Sequence, residues 1–117
     1  MADTTTSLQA LRFNQGKVKL SLLLSAPDAL KGVARVMEFG AKKYGRDNWM
    51  KGLPYTEVLD SGLRHLLAFS NGEELDPESE LPHIDHALCN ILFLGQFMRT
   101  RPEFDDRILH VRDKVEP

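Results

Sequence analysis

The sequence predicts an all-α protein, an antiparallel helical bundle of three to five helices that is completed by oligomerisation. Three segments carry apolar residues at helical spacing, and a proline or glycine stands at the ends of each. Strand signals are weak throughout. At 117 residues the chain is long enough for a single domain, residues 1–117, with residues 1–10 expected to be flexible. Because so short a chain buries only a modest core, we expect copies of it to associate.

The first element is a loop or arm over residues 8–25, with a short turn of helix. A helix then begins at Ser25 or Ala26, has Pro27 in its first turn and ends at Gly45. Its apolar stripe comprises Leu30, Val33, Ala34, Met37, Ala41 and Tyr44. Glu38 falls on or beside this stripe. A carboxylate at the edge of a core is costly without a partner, which makes Glu38 a candidate ligand.

The second helix opens at Pro54 and ends at Gly72. Its broad apolar face comprises Tyr55, Val58, Leu59, Leu63, Leu66 and Leu67. Because a short loop joins the first and second helices, we expect them to pack antiparallel. The third helix runs from about His83 to Arg99, is apolar on almost every side and should be buried between the others. An amphipathic tail over residues 104–115 predicts a last helix.

Composition excludes several classes of protein. The net charge of −2 gives no basic excess for binding nucleic acid. The longest apolar stretch, residues 87–93, is far short of the ~20 residues that span a bilayer, so no membrane association is expected. The N-terminus has no signal-peptide pattern, which favours a cytoplasmic location. The lone cysteine, Cys89, has apolar neighbours and is interpreted as a core thiol.

The acidic pair Glu57 and Asp60 is the clearest candidate for metal chemistry. The i, i+3 spacing puts both carboxylates on one helical face, and Glu38 on the preceding helix would supply a third oxygen ligand for Mg²⁺ or Mn²⁺. The alternative is a solvated polar face, opposite the leucines, with an Asp60–Arg64 ion pair. Spacing alone favours that alternative.

A basic segment follows the Glu38 helix directly. Its cations Lys42, Lys43 and Arg46 are suited to neutralise a polyphosphate. Trp49, or Tyr44, could stack on a base. The alternative is a basic surface loop anchored by one aromatic side chain, which the segment alone favours.

A polar stripe runs along the third helix. His83, His86 and Asn90 fall at i, i+3 and i+7, where they could ligate metal, donate to phosphate or bind a base edge. A hydrogen-bond network between helices explains the same stripe equally well. His65 is interpreted as structural. The acidic loop over residues 72–82 is expected to be solvated, although Glu74 or Asp76 could add a ligand.

Glu38, followed after eighteen residues by Glu57-x-x-Asp60, resembles the acidic signature of the all-α nucleoside triphosphate pyrophosphohydrolases, the MazG- and HisE-like superfamily. In that superfamily ExxE on one helix precedes ExxD on the next. Arg35 stands at the first position of ExxE here. The metal shell is therefore expected to need a ligand from elsewhere.

A closer likeness extends from about Phe13 to Phe97. The run Glu-Phe-Gly-Ala-Lys-Lys-Tyr-Gly over residues 38–45, with Leu-Arg-His-Leu over 63–66 and Asp-Pro-Glu-Ser over 76–79, is similar to the phage and bacterial dATP/dGTP diphosphohydrolases. That group includes the MazZ-type enzymes of phages whose DNA replaces adenine with 2-aminoadenine. The resemblance implies a tetramer or dimer that hydrolyses dGTP or dATP to the monophosphate and pyrophosphate. In a MazZ-type phage it would supply dGMP for modified DNA, in the host cytoplasm.

The resulting hypothesis assigns a role to each candidate. Glu38, Glu57 and Asp60 would be catalytic and would hold two or three Mg²⁺ or Mn²⁺ ions. The substrate-binding candidates are Lys17, Lys42, Lys43, Arg46, Asn48, Trp49, Arg64, His83, His86 and Asn90. A redox dimetal bundle is one rival, although the repeated Glu-x-x-His pairs typical of that fold are absent from the sequence. A non-catalytic nucleotide-binding or helical interaction module is the other rival.

Overall fold

The computed structural model describes residues 9–108, and this part of the chain is helical. The α-helices are α1 (Pro27–Tyr44), α2 (Tyr55–Ser70) and α3 (His83–Thr100). Short 3₁₀ turns occur at Leu20–Ser25, Asn48–Lys51 and Pro102–Phe104. Residues 9–108 hold no β-strand, only an isolated bridge between Leu75 and Pro82. The all-α prediction is confirmed, and the predicted ends of the three helices agree with the observed ones to within about two residues.

A proline and a glycine set the two ends of α1. Pro27 occupies the first turn of α1, where its missing N–H costs no helical hydrogen bond. At the other end Gly45 adopts φ 93° and donates its N–H to the carbonyl of Ala41 at 2.8 Å. No described helix is both long and apolar enough to cross a membrane.

Helix α3 lies at the centre of the packing. Helix α2 packs along it most extensively, and α1 packs on it over a smaller area. The predicted direct pairing of α1 with α2 is therefore wrong. One reason is local, since Gly32 on α1 lies so close to Asp85 that a Cβ there would overlap the carboxylate. The missing side chain lets α1 approach α3 rather than α2.

The core lies where α2 begins and α3 ends. Tyr55, Val58 and Phe97 are buried there, and Trp49 and Phe93 pack against them. The Tyr55 hydroxyl lies 3.0 Å from the carbonyl oxygen of Phe97 and 3.1 Å from that of Arg101. This hydroxyl therefore ties the first turn of α2 to the last turn of α3.

A glycine allows the loop before α2 to pack against this core. Gly52 adopts φ 96°, and a Cβ there would meet the ring of Phe104 at 2.5 Å. Both the backbone conformation and the space require a residue without a side chain.

The face of α2 that meets α3 is not the leucine face. Tyr55, Val58 and Gly62 are buried, whereas Leu63 and Leu67 are 59% and 63% exposed. At Gly62 an added Cβ would lie 3.3 Å from the Cβ of Asn90, so the two helices touch closely along that side. The predicted burial of the α2 leucines is therefore wrong within a single chain.

The expectation that α3 is buried on all sides is wrong for a related reason. Ala87, Cys89 and Phe97 are buried, but Ile91 is 56% and Met98 63% exposed. Within residues 9–108 two α-helices and the short 3₁₀ turn Pro102–Phe104 pack on α3, and part of its circumference stays uncovered.

The predictions for the N-terminal arm, residues 8–25, and for the C-terminal tail, residues 104–115, differ in outcome. The arm prediction is confirmed, since residues 9–31 are exposed and the only helical element before α1 in the described part is the 3₁₀ turn. The predicted last helix begins later than expected, because Phe104 belongs to a 3₁₀ turn, residues 105–107 are not helical and helix is first found at Ile108. Its remainder from residue 109, like the predicted flexible residues 1–8, lies outside the described residues.

Candidate functional site

A cavity of about 1050 Å³ opens between the C-terminal half of α1, the loop that follows it and the inner faces of α2 and α3. Eight of the predicted site residues line it: Glu38, Lys42, Lys43, Arg46, Asn48, Trp49, His86 and Asn90. With Asp47 and Ser61, which also line it, the cavity places two carboxylates, three cations and several uncharged polar side chains around one volume. This is the mixture of groups that a phosphorylated polar ligand requires.

Glu38 lines the cavity, but its side chain is exposed rather than at the edge of a core. Leu30 and Tyr44, on the predicted apolar stripe of α1, are 40% and 68% exposed. The stripe is buried at Val33 but open toward both of its ends, and Glu38 is itself exposed, so the predicted burial cost that singled out Glu38 is absent. What remains in its favour is its position on the cavity wall.

Glu57 and Asp60 are exposed on α2 and do not line the cavity. Ser61 does line it, and Glu57 precedes Ser61 by four residues, so the carboxylate lies along the same side of the helix. The ion pairs found within residues 9–108 do not include one between Asp60 and Arg64. Lys17 and Arg64 are also exposed and lie outside the cavity lining.

The three cations of the wall differ in availability. Lys43 Nζ lies 2.6 Å from Glu78 Oε2 and 4.9 Å from the centroid of the Phe39 ring. The hydrogen bond with Glu78 raises the pKa of Lys43. The guanidinium of Arg46 is 3.8 Å from its neighbour Asp47, and Lys42 has no ion-pair partner in the described part of the chain. Lys42 and Arg46 are therefore the cations best placed to receive an anion.

Trp49 forms a fixed wall of the cavity. Its ring stacks on Phe93 at 4.3 Å with an interplanar angle of 6°, and its centroid lies 5.9 Å from that of Phe97. The indole Nε1 is buried without a hydrogen-bond partner. Because Phe93 covers one face of the indole, the contacts support the alternative interpretation, in which Trp49 anchors the basic loop.

A cluster of three histidines, which we call the histidine cluster, adjoins the cavity. It comprises His65 on α2 with His83 and His86 on α3. His65 Nδ1 lies 2.8 Å from His83 Nδ1, and the rings of His65 and His86 stack at 4.4 Å. The loop between the helices contributes acidic groups, since His83 Nε2 lies 2.6 Å from Glu73 Oε1. His83 itself is buried and does not line the cavity.

The loop side of the cluster is ordered by Asp76. Its Oδ2 accepts hydrogen bonds from Ser79 N at 2.8 Å and from Ser79 Oγ at 2.9 Å. Ser79 Oγ also lies 2.7 Å from His86 Nε2. With the proton of Ser79 Oγ directed to Asp76, His86 Nε2–H is the donor to Ser79.

Burial sets the protonation of this cluster. Desolvation lowers the pKa of His65, and the neighbouring imidazole of His86 lowers it further. Desolvation likewise lowers the pKa of His86. Burial alone would raise the pKa of Asp76, but the two hydrogen bonds from Ser79 outweigh it and lower the pKa. At neutral pH His65 and His86 are therefore uncharged beside the ionised carboxylate of Asp76.

Asn90 and Cys89 complete the floor of the cavity. Asn90 Nδ2 donates to the carbonyl of His86 at 2.9 Å and to Ser61 Oγ at 3.3 Å. The predicted hydrogen-bond network along the polar stripe of α3 is thus present. Cys89 is buried and burial raises its pKa to about 11, which confirms the core thiol.

The sequence assigns a structural role to His65 and makes Asp76, with Glu74, only an additional ligand candidate, so neither is among the predicted catalytic or substrate-binding residues. The signal that could have found them is compositional, because three of the four histidines lie between positions 65 and 86 around an acidic loop. Their convergence depends on how α2 and α3 pair, which spacing within one helix does not reveal.

Comparison with known proteins identifies the family. A family model described as dATP/dGTP diphosphohydrolase, N-terminal, matches residues 7–107. The chain is similar to a dATP/dGTP diphosphohydrolase of Salmonella phage PMBT28, with 38% identity over 100 residues. That match covers 86% of this chain and 33% of the phage protein, so the chain spans about a third of the length of this relative. No solved structure matches. The chain belongs to the dATP/dGTP diphosphohydrolase family, through the N-terminal domain of that family.

Proposed function

We propose that the chain hydrolyses purine deoxynucleoside triphosphates, dGTP and dATP, to the monophosphate and pyrophosphate. The observation that carries the proposal is the cavity in which Glu38 shares a wall with Lys42 and Arg46 and faces His86 and Asn90. The name of the phage relative points to the same substrates.

The triphosphate would lie toward the end of α1. Lys42 and Arg46 are exposed there and carry no strong competing ion pair, so they are free to neutralise phosphate oxygens. Lys43 is held by Glu78 and would contribute to the local field rather than bind directly. Asn48 lies in the same loop and offers an uncharged donor.

The purine would lie toward α3, against the Trp49 wall. Asn90 uses Nδ2 for Ser61 and His86, which leaves its amide oxygen as an acceptor for a purine N–H. His86 lines the cavity with one ring face stacked on His65. These fixed groups give the base end a defined shape, which is what discrimination between bases needs.

Glu38, Glu57 and Asp60 would hold Mg²⁺ or Mn²⁺. The chemistry of the donor set suits these ions, because all three groups are carboxylates and none is used in an ion pair within residues 9–108. In that part of a single chain the three carboxylates do not lie within ligand spacing of one another, so a shared site would need a second subunit or a closer approach of α1 to α2. Such ions, when bound, lower the pKa of a water molecule and neutralise the departing pyrophosphate. Glu38 is the member of the set that lies on the cavity wall, so its carboxylate is the one placed to orient an attacking water.

Association into a dimer or tetramer would complete the site. Leu63, Leu67, Ile91 and Met98 are each more than half exposed, which leaves apolar faces of both α2 and α3 to be covered. Asp60 precedes Leu63 by three residues and Leu67 by seven, so its carboxylate lies beside the exposed leucines rather than opposite them, and Glu57 is one turn before it. A second subunit on this side of α2 would therefore border these carboxylates and form one side of a cleft.

In a phage with 2-aminoadenine in its DNA, the product dGMP would be a precursor of the modified base. This role would place the protein in the host cytoplasm.

The test is incubation of the protein with dGTP, dATP, GTP and dCTP in Mg²⁺ or Mn²⁺, with products separated by ion-exchange chromatography. We expect deoxynucleoside monophosphate and pyrophosphate from the purine deoxynucleotides. Glu38→Gln should lower kcat/KM by roughly a hundredfold or more, whereas the exposed Glu103→Gln should leave it unchanged. Nucleotide binding without pyrophosphate release would instead indicate a regulatory module and refute the proposal.

A further inference from the structure

Three potential metal ligands converge at the junction of α2, the acidic loop and α3. One ligand atom each from His65, Asp76 and His83 lies within 4.8 Å of the other two. We propose that His65 Nδ1, His83 Nδ1 and the carboxylate of Asp76 form a site for a divalent transition-metal ion of the Zn²⁺, Co²⁺ and Fe²⁺ class. The proposal does not depend on the hydrolytic function, since none of the three residues lines the cavity.

His83 is oriented as metal-binding histidines are. It is 4% exposed, and its Nε2 lies 2.6 Å from Glu73 Oε1. A carboxylate accepts only from N–H, so Nε2 carries the proton and Nδ1 carries the lone pair. A carboxylate behind the distal nitrogen is the usual means by which proteins fix the ring and the tautomer of a ligating histidine.

His65 presents its own Nδ1 to the same point. The two Nδ1 atoms are 2.8 Å apart, so without a metal one proton between them must join them. A metal ion would replace that proton. With Zn–N bonds near 2.1 Å, two nitrogens of a tetrahedral shell lie about 3.4 Å apart, so the rings need to separate by only about 0.6 Å.

Asp76 supplies the third ligand from the loop. It is half-buried, and its Oδ2 is held by Ser79 N and Ser79 Oγ. These bonds fix the carboxylate on the third side of the site and keep it ionised. A negatively charged oxygen beside two neutral imidazoles favours a divalent cation.

The ligand set determines the class of metal. Imidazole nitrogen favours Zn²⁺, Co²⁺ and Fe²⁺, whereas Mg²⁺ and Ca²⁺ require mainly oxygen. Three protein ligands leave a coordination position for water. The site would join α2, the loop and α3, and it would adjoin the cavity through His86, whose ring stacks on His65.

The experiment is titration of the chelator-treated protein with Co²⁺, followed by its visible absorption. We expect one equivalent to bind with the absorption of a nitrogen-ligated ion, and excess Mg²⁺ not to displace it. His65→Gln and Asp76→Asn should each weaken Co²⁺ binding at least tenfold. Glu73→Gln should weaken it by roughly 10–100-fold, since it removes only the orienting carboxylate.

Two controls separate this site from its neighbours. His86→Gln changes a histidine that stacks on His65 but is not a ligand, and Glu38→Gln changes the cavity carboxylate. Both should bind Co²⁺ as the unchanged protein does, and circular dichroism should show native helix content in every variant. Absence of stoichiometric absorption, or equal affinity in His65→Gln, would show a hydrogen-bond network only and overturn the proposal. Hydrolysis of dGTP by such a protein would leave the proposed function standing.

Discussion

Replacing Tyr55 by phenylalanine tests how α2 is fastened to α3. The change removes one hydroxyl from a side chain that is 4% exposed, and it leaves the ring in place. The two carbonyls that the hydroxyl approaches each keep a backbone partner. Phe97 O accepts from Arg101 N at 2.7 Å, and Arg101 O accepts from Phe104 N at 3.2 Å. The variant therefore loses one hydrogen bond without orphaning an acceptor, and the free energy of unfolding should fall by about 1 kcal/mol.

The measurement is urea unfolding followed by circular dichroism. The midpoint for Tyr55→Phe should fall by roughly 0.5–1 M, with an unchanged m-value. Tyr44→Phe is the matched control, because the second tyrosine of the chain is 68% exposed and its stability should change by less than ~0.5 kcal/mol. A loss of about 3 kcal/mol for Tyr55→Phe would mean that a carbonyl is orphaned. No loss would mean that the hydroxyl makes no bond, and either result refutes the reasoning.

An alkaline titration gives a second check on the same residue. Burial raises the pKa of Tyr55 above its usual value near 10. The unfolded chain therefore ionises first as pH rises, and the folded protein loses stability above about pH 10. Tyr55→Phe should lack the part of this alkaline loss of stability that comes from ionisation of Tyr55.

Three further predictions concern pH, a glycine and the cysteine. Burial lowers the pKa of His65 and His86, so below about pH 6.5 the unfolded chain takes up protons that the folded chain does not. The midpoint of urea unfolding should therefore fall when the pH is lowered from 7.5 to 5.5, and a constant midpoint would contradict this. Gly52→Ala combines a positive φ with overlap on the Phe104 ring, so it should lower the free energy of unfolding by about 2–4 kcal/mol. Gly40 has a helical backbone and open space around it, so Gly40→Ala should leave thermal stability unchanged or raise it slightly. Cys89 is buried, and its pKa is raised to about 11. It should therefore react with a thiol reagent at least tenfold more slowly in the native protein than in urea. Equal rates would show that the Cys89 thiol is not buried.

The sequence was sufficient for the helices because their ends are set locally. Pro27 and Gly45 bound α1 through a fixed φ and a positive φ, and neither effect needs a tertiary contact. The basic cavity wall was also predictable, since Lys42 and Arg46 are four residues apart at the end of one helix.

The pairing of helices was not predictable in the same way. Leu63 and Leu67 have the spacing of a core face, yet Gly62 is what meets α3. Periodicity shows that a face is apolar but not whether its own chain or another molecule covers it. Close approach between helices was decided at glycines, which carry no periodic signal.

The histidine cluster depended on distance in space rather than in sequence. His65 and His83 are eighteen residues apart and meet only because α2 and α3 form a hairpin. The pairing of His83 with Glu73 likewise needs the loop to fold back. Neither contact follows from the i, i+3 and i+7 stripe that drew attention to α3.

The narrow attachment of α1 has a consequence for hydrogen exchange. Only Gly32 and Val33 of α1 are buried, whereas α2 and α3 share the core and the histidine cluster. The helical hairpin should therefore persist when α1 detaches, and amides of α1 should exchange through a sub-global opening of lower free energy. Glu38 and Lys42 lie on α1, and Arg46 lies two residues after its end. Each such opening would remove the α1 wall of the cavity, while the wall formed by α2 and α3 stays folded. A ligand that contacts both walls should therefore slow the amide hydrogen exchange of α1 selectively.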